Sequence, residues 1–103
     1  MIKIVHIMKD KYDIYIGRPG PFGNPYTHKS GTQAKYKVDT REEAVEKYRE
    51  YLLGNKDLLE KIKELKGKTL GCWCAKKGGI TINDKPFICH GQVIAEILGD
   101  LNE

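Results

Sequence analysis

The residues whose types and spacing best suit them to chemistry are Cys72, Cys74, Cys89 and His90. All three cysteines and the only tryptophan lie within Cys72-Trp73-Cys74 and Cys89-His90. These side chains match in number and kind the ligands of a structural zinc site, with bonds of about 2.0–2.3 Å. Their spacing is not that of the usual zinc knuckle, since one pair is Cys-x-Cys and the other is an adjacent Cys-His. A second chemistry is that of a reactive thiolate. Cys89 stands where a helix begins, helix N-termini lower thiol pKa values, and His90 is its neighbour. Cys89 and His90 are therefore the candidate catalytic residues, although adjacency in sequence does not by itself make a dyad. The plainest reading is that Cys72 is a small core residue, because cysteine is among the most buried types.

A second stretch, Gly17-Arg18-Pro19-Gly20-Pro21-Phe22-Gly23-Asn24-Pro25-Tyr26, has three glycines and three prolines. That composition excludes regular structure. Arg18 offers a planar fork suited to phosphate or carboxylate. Gly17 and Gly23 free backbone N–H groups for an anion nest. Asn24 suits a ribose or base edge, and Tyr15, Phe22 or Tyr26 suit stacking on a base. His90-Gly91 would add a helix N-terminus, with its unpaired N–H groups and partial positive charge, where Gly91 admits a ligand close to the backbone. The alternative is a rigid turn and an ordinary helix start, with no ligand.

The elements that must position these residues follow from pattern. Ile2, Ile4, Val5 and Ile7 form a first strand and Ile14–Ile16 a second, pairing as a hairpin across a polar turn. Thr40-Arg41-Glu42-Glu43 is a capping box, and the helix after it sets Ala44, Val45, Tyr48, Tyr51 and Leu52 on one face until Gly54. Asn55 caps a second helix with Leu58, Leu59, Ile62 and Leu65 inward. Thr69–Cys74 reads as a short buried strand. His90–Leu101 is a helix with Val93, Ile94, Ile97, Leu98 and Leu101 in a stripe. Residues 76–88 are expected to form a hairpin-like insert standing off the domain. The result is one α/β domain over residues 1–103, a small sheet with a β-α-α-β crossover and helices packed on it, resembling half of a Rossmann fold. Such a crossover makes the second strand and the cysteine strand parallel. The Gly17–Tyr26 loop and the Cys74 segment then leave the same edge and face one cleft, where α/β folds bind ligands.

Tyr15-Ile16-Gly17-Arg18, Phe22-Gly23-Asn24-Pro25, Arg41-Glu42-Glu43-Ala44, Leu65-Lys66-Gly67-Lys68, Cys72-Trp73-Cys74 and Cys89-His90-Gly91 occur in this order. The chain thereby resembles, over nearly its whole length, a family of small domains of unknown function found in bacteria and their phages. The pattern of that family is YIGR, GNP, a helix, LxGKxLxCWC and CHG opening the last helix. Fourteen residues separate Cys74 from Cys89, where the family commonly has only a few. The resemblance implies a shared fold and pocket and supplies no function.

The formal net charge of +4 over 103 residues is consistent with an anionic partner. No apolar run approaches the roughly 20 residues of a membrane span. The odd cysteine count and the lack of a signal-peptide pattern point to a reducing cytoplasm. The expectation is binding of a phosphate-bearing small molecule, a nucleotide or nucleotide-derived signal, by Tyr15, Gly17, Arg18, Phe22, Gly23, Asn24, Tyr26, Cys74, His90 and Gly91. In the phage setting that the resemblance implies, this would sequester a host nucleotide signal. One alternative is an enzyme processing nucleotides or nucleosides with Cys89 and His90, or with a metal at Cys72, Cys74, Cys89 and His90. Another is a zinc-stabilised nucleic-acid-binding module, disfavoured by 14 acidic residues against 18 basic ones. Exposed strand edges in so small a sheet point to a homodimer.

Overall fold

The computed structural model describes residues 2–18, 20, 22–27, 36–73, 75 and 78–101. In chain order the elements are β1 (Ile4–His6), β2 (Ile14–Tyr15), β3 (Tyr26–Thr27), β4 (Tyr36–Lys37), α1 (Arg41–Leu53), α2 (Lys56–Ile62), β5 (Leu70–Cys72) and α3 (His90–Leu101). A single 3-10 turn, Lys63–Leu65, follows α2. Strand β5 lies between β1 and β2 and runs parallel to both, with Leu70 level with Ile4 and Ile14. This is the parallel α/β arrangement that the crossover requires.

The expected hairpin of the first two strands does not form, because β5 separates them. Parallel neighbours normally need a long crossover. These strands are only two or three residues long, so the return spans about 10 Å or less at 3.3 Å per residue. Residues 7–13 suffice for it. The turn starts with Lys9 and Asp10 N–H groups on the His6 carbonyl and ends with Asp13 paired to Thr69 through both backbone and carboxylate. It crosses the sheet at Gly71, where a Cβ would meet the Tyr12 ring at 2.6 Å and Ile7 at 2.9 Å. The missing side chain of Gly71 is what allows the crossing.

The opposite face of the sheet carries the helices. Thr40 caps α1 by accepting from the Glu43 N–H at 3.1 Å, and Glu43 reaches back to the Asp39 N–H at 3.0 Å. Ala44, Val45, Tyr48 and Leu52 are buried, while Tyr51, at the border of the stripe, stays exposed. Asn55 caps α2 on the Leu58 N–H, and Leu58, Ile62 and Leu65 enter the core. On α3, Val93, Ile94, Ile97 and Leu98 are buried against Ile4, Ile16 and Leu70 in one cluster. β3 and β4 form a separate parallel pair, with the Tyr26 and Tyr36 rings stacked 5.1 Å apart.

Residues 78–88 correct the expectation of a hairpin standing off the domain. Ile80 exchanges both backbone hydrogen bonds with Ile4, at 2.9 and 2.7 Å, as an antiparallel bridge on the free edge of β1. Ile80 is buried, and Ile82, Phe87 and Ile88 pack against the core. An apolar side chain at each of these positions gains more from the domain than from a hairpin in water. Among the described residues, no helix is long and apolar enough to cross a membrane.

Candidate functional site

At the carboxyl edge of the three parallel strands, β1 ends in His6, β2 ends in Tyr15, and β5 is followed by Trp73. Cys72 is fully buried, and alternation along the strand turns Trp73 away from that core. Trp73 is 58% exposed. Its Nε1–H donates to the Tyr15 hydroxyl at 3.1 Å, and the His6 ring meets it edge-on with centroids 5.4 Å apart. The Tyr15 hydroxyl donates in turn to the Arg18 carbonyl at 2.8 Å. Arg18 is thus tied to the same edge, and its Nη1 donates to the Asn24 carbonyl at 2.9 Å. Among the described residues, no carboxylate lies within ion-pair distance of the Arg18 guanidinium.

The rest of the predicted loop site is structural. Asn24 is buried, with its amide donating to the Ala44 carbonyl at 3.0 Å and its oxygen accepting from the Tyr26 N–H at 2.9 Å. Both ends of that side chain are therefore engaged within the protein. Phe22 joins the core, and its carbonyl accepts from the Tyr48 hydroxyl at 2.9 Å. Burial, then the neighbouring Tyr51 and Cys89, push the Tyr48 phenol well above its ordinary pKa. Gly17 makes room for the Tyr15 ring and Gly23 for Arg18, so close packing accounts for both glycines. Tyr26 stacks on Tyr36.

The N-terminus of α3 is closed from within. His90 is buried, with Nε2 2.7 Å from the Ile16 carbonyl. A carbonyl only accepts, so Nε2 carries the proton. The imidazole and the Tyr48 ring meet in a T-shaped contact, centroids 5.0 Å apart. Cys89 caps the helix: its sulfur accepts from the Gly91 N–H at 3.4 Å. A Cβ on Gly91 would meet Ile16 and Ile4 at 2.8 Å. The bare position lets the helix, not a ligand, approach closely. The anion pocket expected at His90-Gly91 is therefore occupied by the sheet and by the cap itself.

Of the predicted cysteine set, Cys72 and Cys89 are brought together, with sulfurs 2.8 Å apart and both residues fully buried. His90 Nδ1 lies 4.0 Å from the Cys89 sulfur. Cys74 lies outside the described residues. Among the described residues, no group of three or more histidine, cysteine or acidic side chains is arranged to hold a metal ion.

A concavity away from this edge lies between α1, α3 and residues 85–87, lined by Glu42, Glu46, Arg49, Lys85, Phe87 and Glu96. Arg49 pairs there with Glu96 and Glu46 and lies over the Phe87 ring. Three carboxylates, against Lys85 and an arginine already paired with two of them, make this groove a poor anion site.

Sequence reasoning passed over His6, Trp73 and Gln92. Gln92 is fully buried and makes four hydrogen bonds. Its oxygen accepts from the Ile88 and Cys89 N–H groups at 2.8 and 3.1 Å, and its amide donates to the Thr81 and Asp84 carbonyls at 2.9 Å each. The signal for it was Cys89-His90-Gly91-Gln92, a capping box with cysteine in the serine position. The signal for Trp73 was its alternation with the buried Cys72.

A family model described as a domain of unknown function, DUF4326, matches residues 4–100. An uncharacterized protein of Acanthamoeba polyphaga mimivirus is 36% identical over 95 residues, covering 82% of this chain; the chain spans 65% of that protein's length. No solved structure matches at a significant level.

Proposed function

We propose, from the premise that the chain belongs to the domain-of-unknown-function family DUF4326, that it binds a phosphate-bearing small molecule of the nucleotide class at the carboxyl edge of its parallel strands. The observation that carries this reading is Arg18. Its guanidinium is fixed by the Asn24 carbonyl at the strand-end loop, with no carboxylate partner among the described residues. A positioned guanidinium of this kind suits a phosphate, which it contacts in bidentate fashion. Carboxyl edges of parallel sheets are the usual ligand position in open α/β folds.

Burial of Cys89 and His90 favours holding the ligand without turnover over thiol-based catalysis, because a reactive thiolate needs partial exposure. This fits sequestration of a nucleotide signal better than its processing. The test is calorimetry with a panel of nucleotides. Arg18→Ala is expected to weaken binding about ten- to hundredfold, the loss of one charge-assisted hydrogen bond of roughly 1.5–3 kcal/mol. Arg18→Lys should recover part of that, since an ammonium lacks the fork. Lys61→Ala, exposed on α2, should bind as wild type. Failure of every phosphate-bearing compound to bind, or unaltered binding by Arg18→Ala, refutes the reading.

A further inference from the structure

We propose that Trp73, braced by Tyr15 and His6, is a stacking platform for a planar nucleobase, so that the ligand is recognised by its base as well as its phosphate. The inference rests on the reading above and gives it a specificity element. Trp73 is the only tryptophan in the chain. It directly follows a strand in which all three residues are buried, yet it is more than half exposed. A single exposed aromatic residue is unremarkable in itself. This one is restrained on two sides. The indole N–H is taken by the Tyr15 hydroxyl, and the His6 ring packs edge-on. His6 is itself held, its Nδ1 accepting from the Met8 N–H at 3.1 Å.

A ring fixed in this way loses little further freedom when a ligand stacks on it, which makes it a pre-organised contact surface. Aromatic platforms accept bases through their π faces and need no hydrogen-bond readout. The platform is also joined to the phosphate-binding candidate. One hydroxyl, that of Tyr15, accepts from Trp73 and donates to the Arg18 carbonyl. Base and phosphate subsites therefore share a hydrogen-bonded brace at one sheet edge. The arrangement predicts weak binding of nucleosides and tighter binding of their 5′-phosphates.

The lone tryptophan makes the test direct. Nucleosides, their 5′-monophosphates and ribose 5-phosphate are titrated into the full chain, with Trp73 fluorescence and calorimetry read in parallel. Nucleosides and nucleotides are expected to quench Trp73 saturably. By calorimetry, Trp73→Ala should weaken nucleotide binding about ten- to hundredfold, and Trp73→Phe should retain most of it. Ribose 5-phosphate should bind equally well to wild type and Trp73→Ala but lose affinity in Arg18→Ala. If ribose 5-phosphate binding depends on Arg18 while nucleosides leave the fluorescence unchanged and Trp73→Ala binds nucleotides normally, the platform is overturned and the phosphate reading stands. Nucleoside binding that needs Trp73, with no effect of Arg18→Ala on nucleotides, supports the platform and overturns the phosphate reading. Circular dichroism of Trp73→Ala separates loss of binding from loss of fold.

Discussion

Replacing Gln92 by leucine keeps a side chain of similar size in the core and removes four hydrogen bonds at once. The orphaned groups are the Ile88 and Cys89 N–H donors and the Thr81 and Asp84 carbonyls. Each bond contributes a net of about 0.5–1.5 kcal/mol, and a buried group left unpaired costs about 1–3 kcal/mol. Thr81 and Asp84 are only partly buried, so their carbonyls can turn toward water, whereas the Cys89 N–H lies in a fully buried residue. The expected loss is then about 2–4 kcal/mol, a large part of the roughly 5–15 kcal/mol that holds a domain together. For a chain of this length that lowers Tm by roughly 10–25 °C. Urea and thermal denaturation followed by circular dichroism measure it. Amide hydrogen exchange adds the location, since protection should fall first at Ile88, Cys89 and the segment that Gln92 tethers. A Gln92→Leu protein within about 0.5 kcal/mol of wild type would refute the argument that this glutamine binds residues 78–88 into the domain.

Other outcomes follow from the same contacts. Gly91→Ala places a Cβ against the fully buried Ile4 and Ile16, and Gly71→Ala places one against the Tyr12 ring and the partly buried Ile7. Both overpack, at about 1–3 kcal/mol each, a loss that urea denaturation should find in both variants. Burial raises the Tyr48 pKa in the folded state, so its contribution to stability is complete below the ordinary tyrosine pKa of about 10 and is lost as pH rises from there. Tyr48→Phe should abolish that part of the alkaline loss and cost about 1 kcal/mol at neutral pH for the bond to the Phe22 carbonyl. Denaturation series at pH 7 to 11 check both.

The helices were legible because their signals are local. Thr40 with Glu43, and Asn55, mark starts that the structure reproduces, and apolar stripes of period 3.6 identify the buried faces. The parallel alignment of β2 with β5 followed from the two helices between them. The order of the sheet was not legible. Strands of two or three residues carry too little alternation to reveal their neighbours, and the position of β5 depends on Tyr12 and Ile7 crossing over Gly71. The Ile80 bridge to Ile4 and the two-residue pair of β3 and β4 are long-range contacts without a sequence signature. At the candidate site, Tyr15 and Arg18 could be placed because they end a recognisable strand. His90 was read as a ligand from its type, but its hydrogen bond to the Ile16 carbonyl depends on where α3 docks. Trp73 alternates with the buried Cys72, and only the fold shows that its side of the sheet is open at the edge.

The most direct test of a nucleotide-class ligand at the carboxyl edge is a nitrogen-15 NMR titration of the wild-type chain with a nucleoside monophosphate. The account predicts saturable shifts at the Trp73 indole N–H, the Arg18 side chain and the backbone of Tyr15 to Arg18, with α2 unmoved. Shifts confined to the groove of Arg49, Phe87 and Glu96, or none at saturating nucleotide, would contradict it.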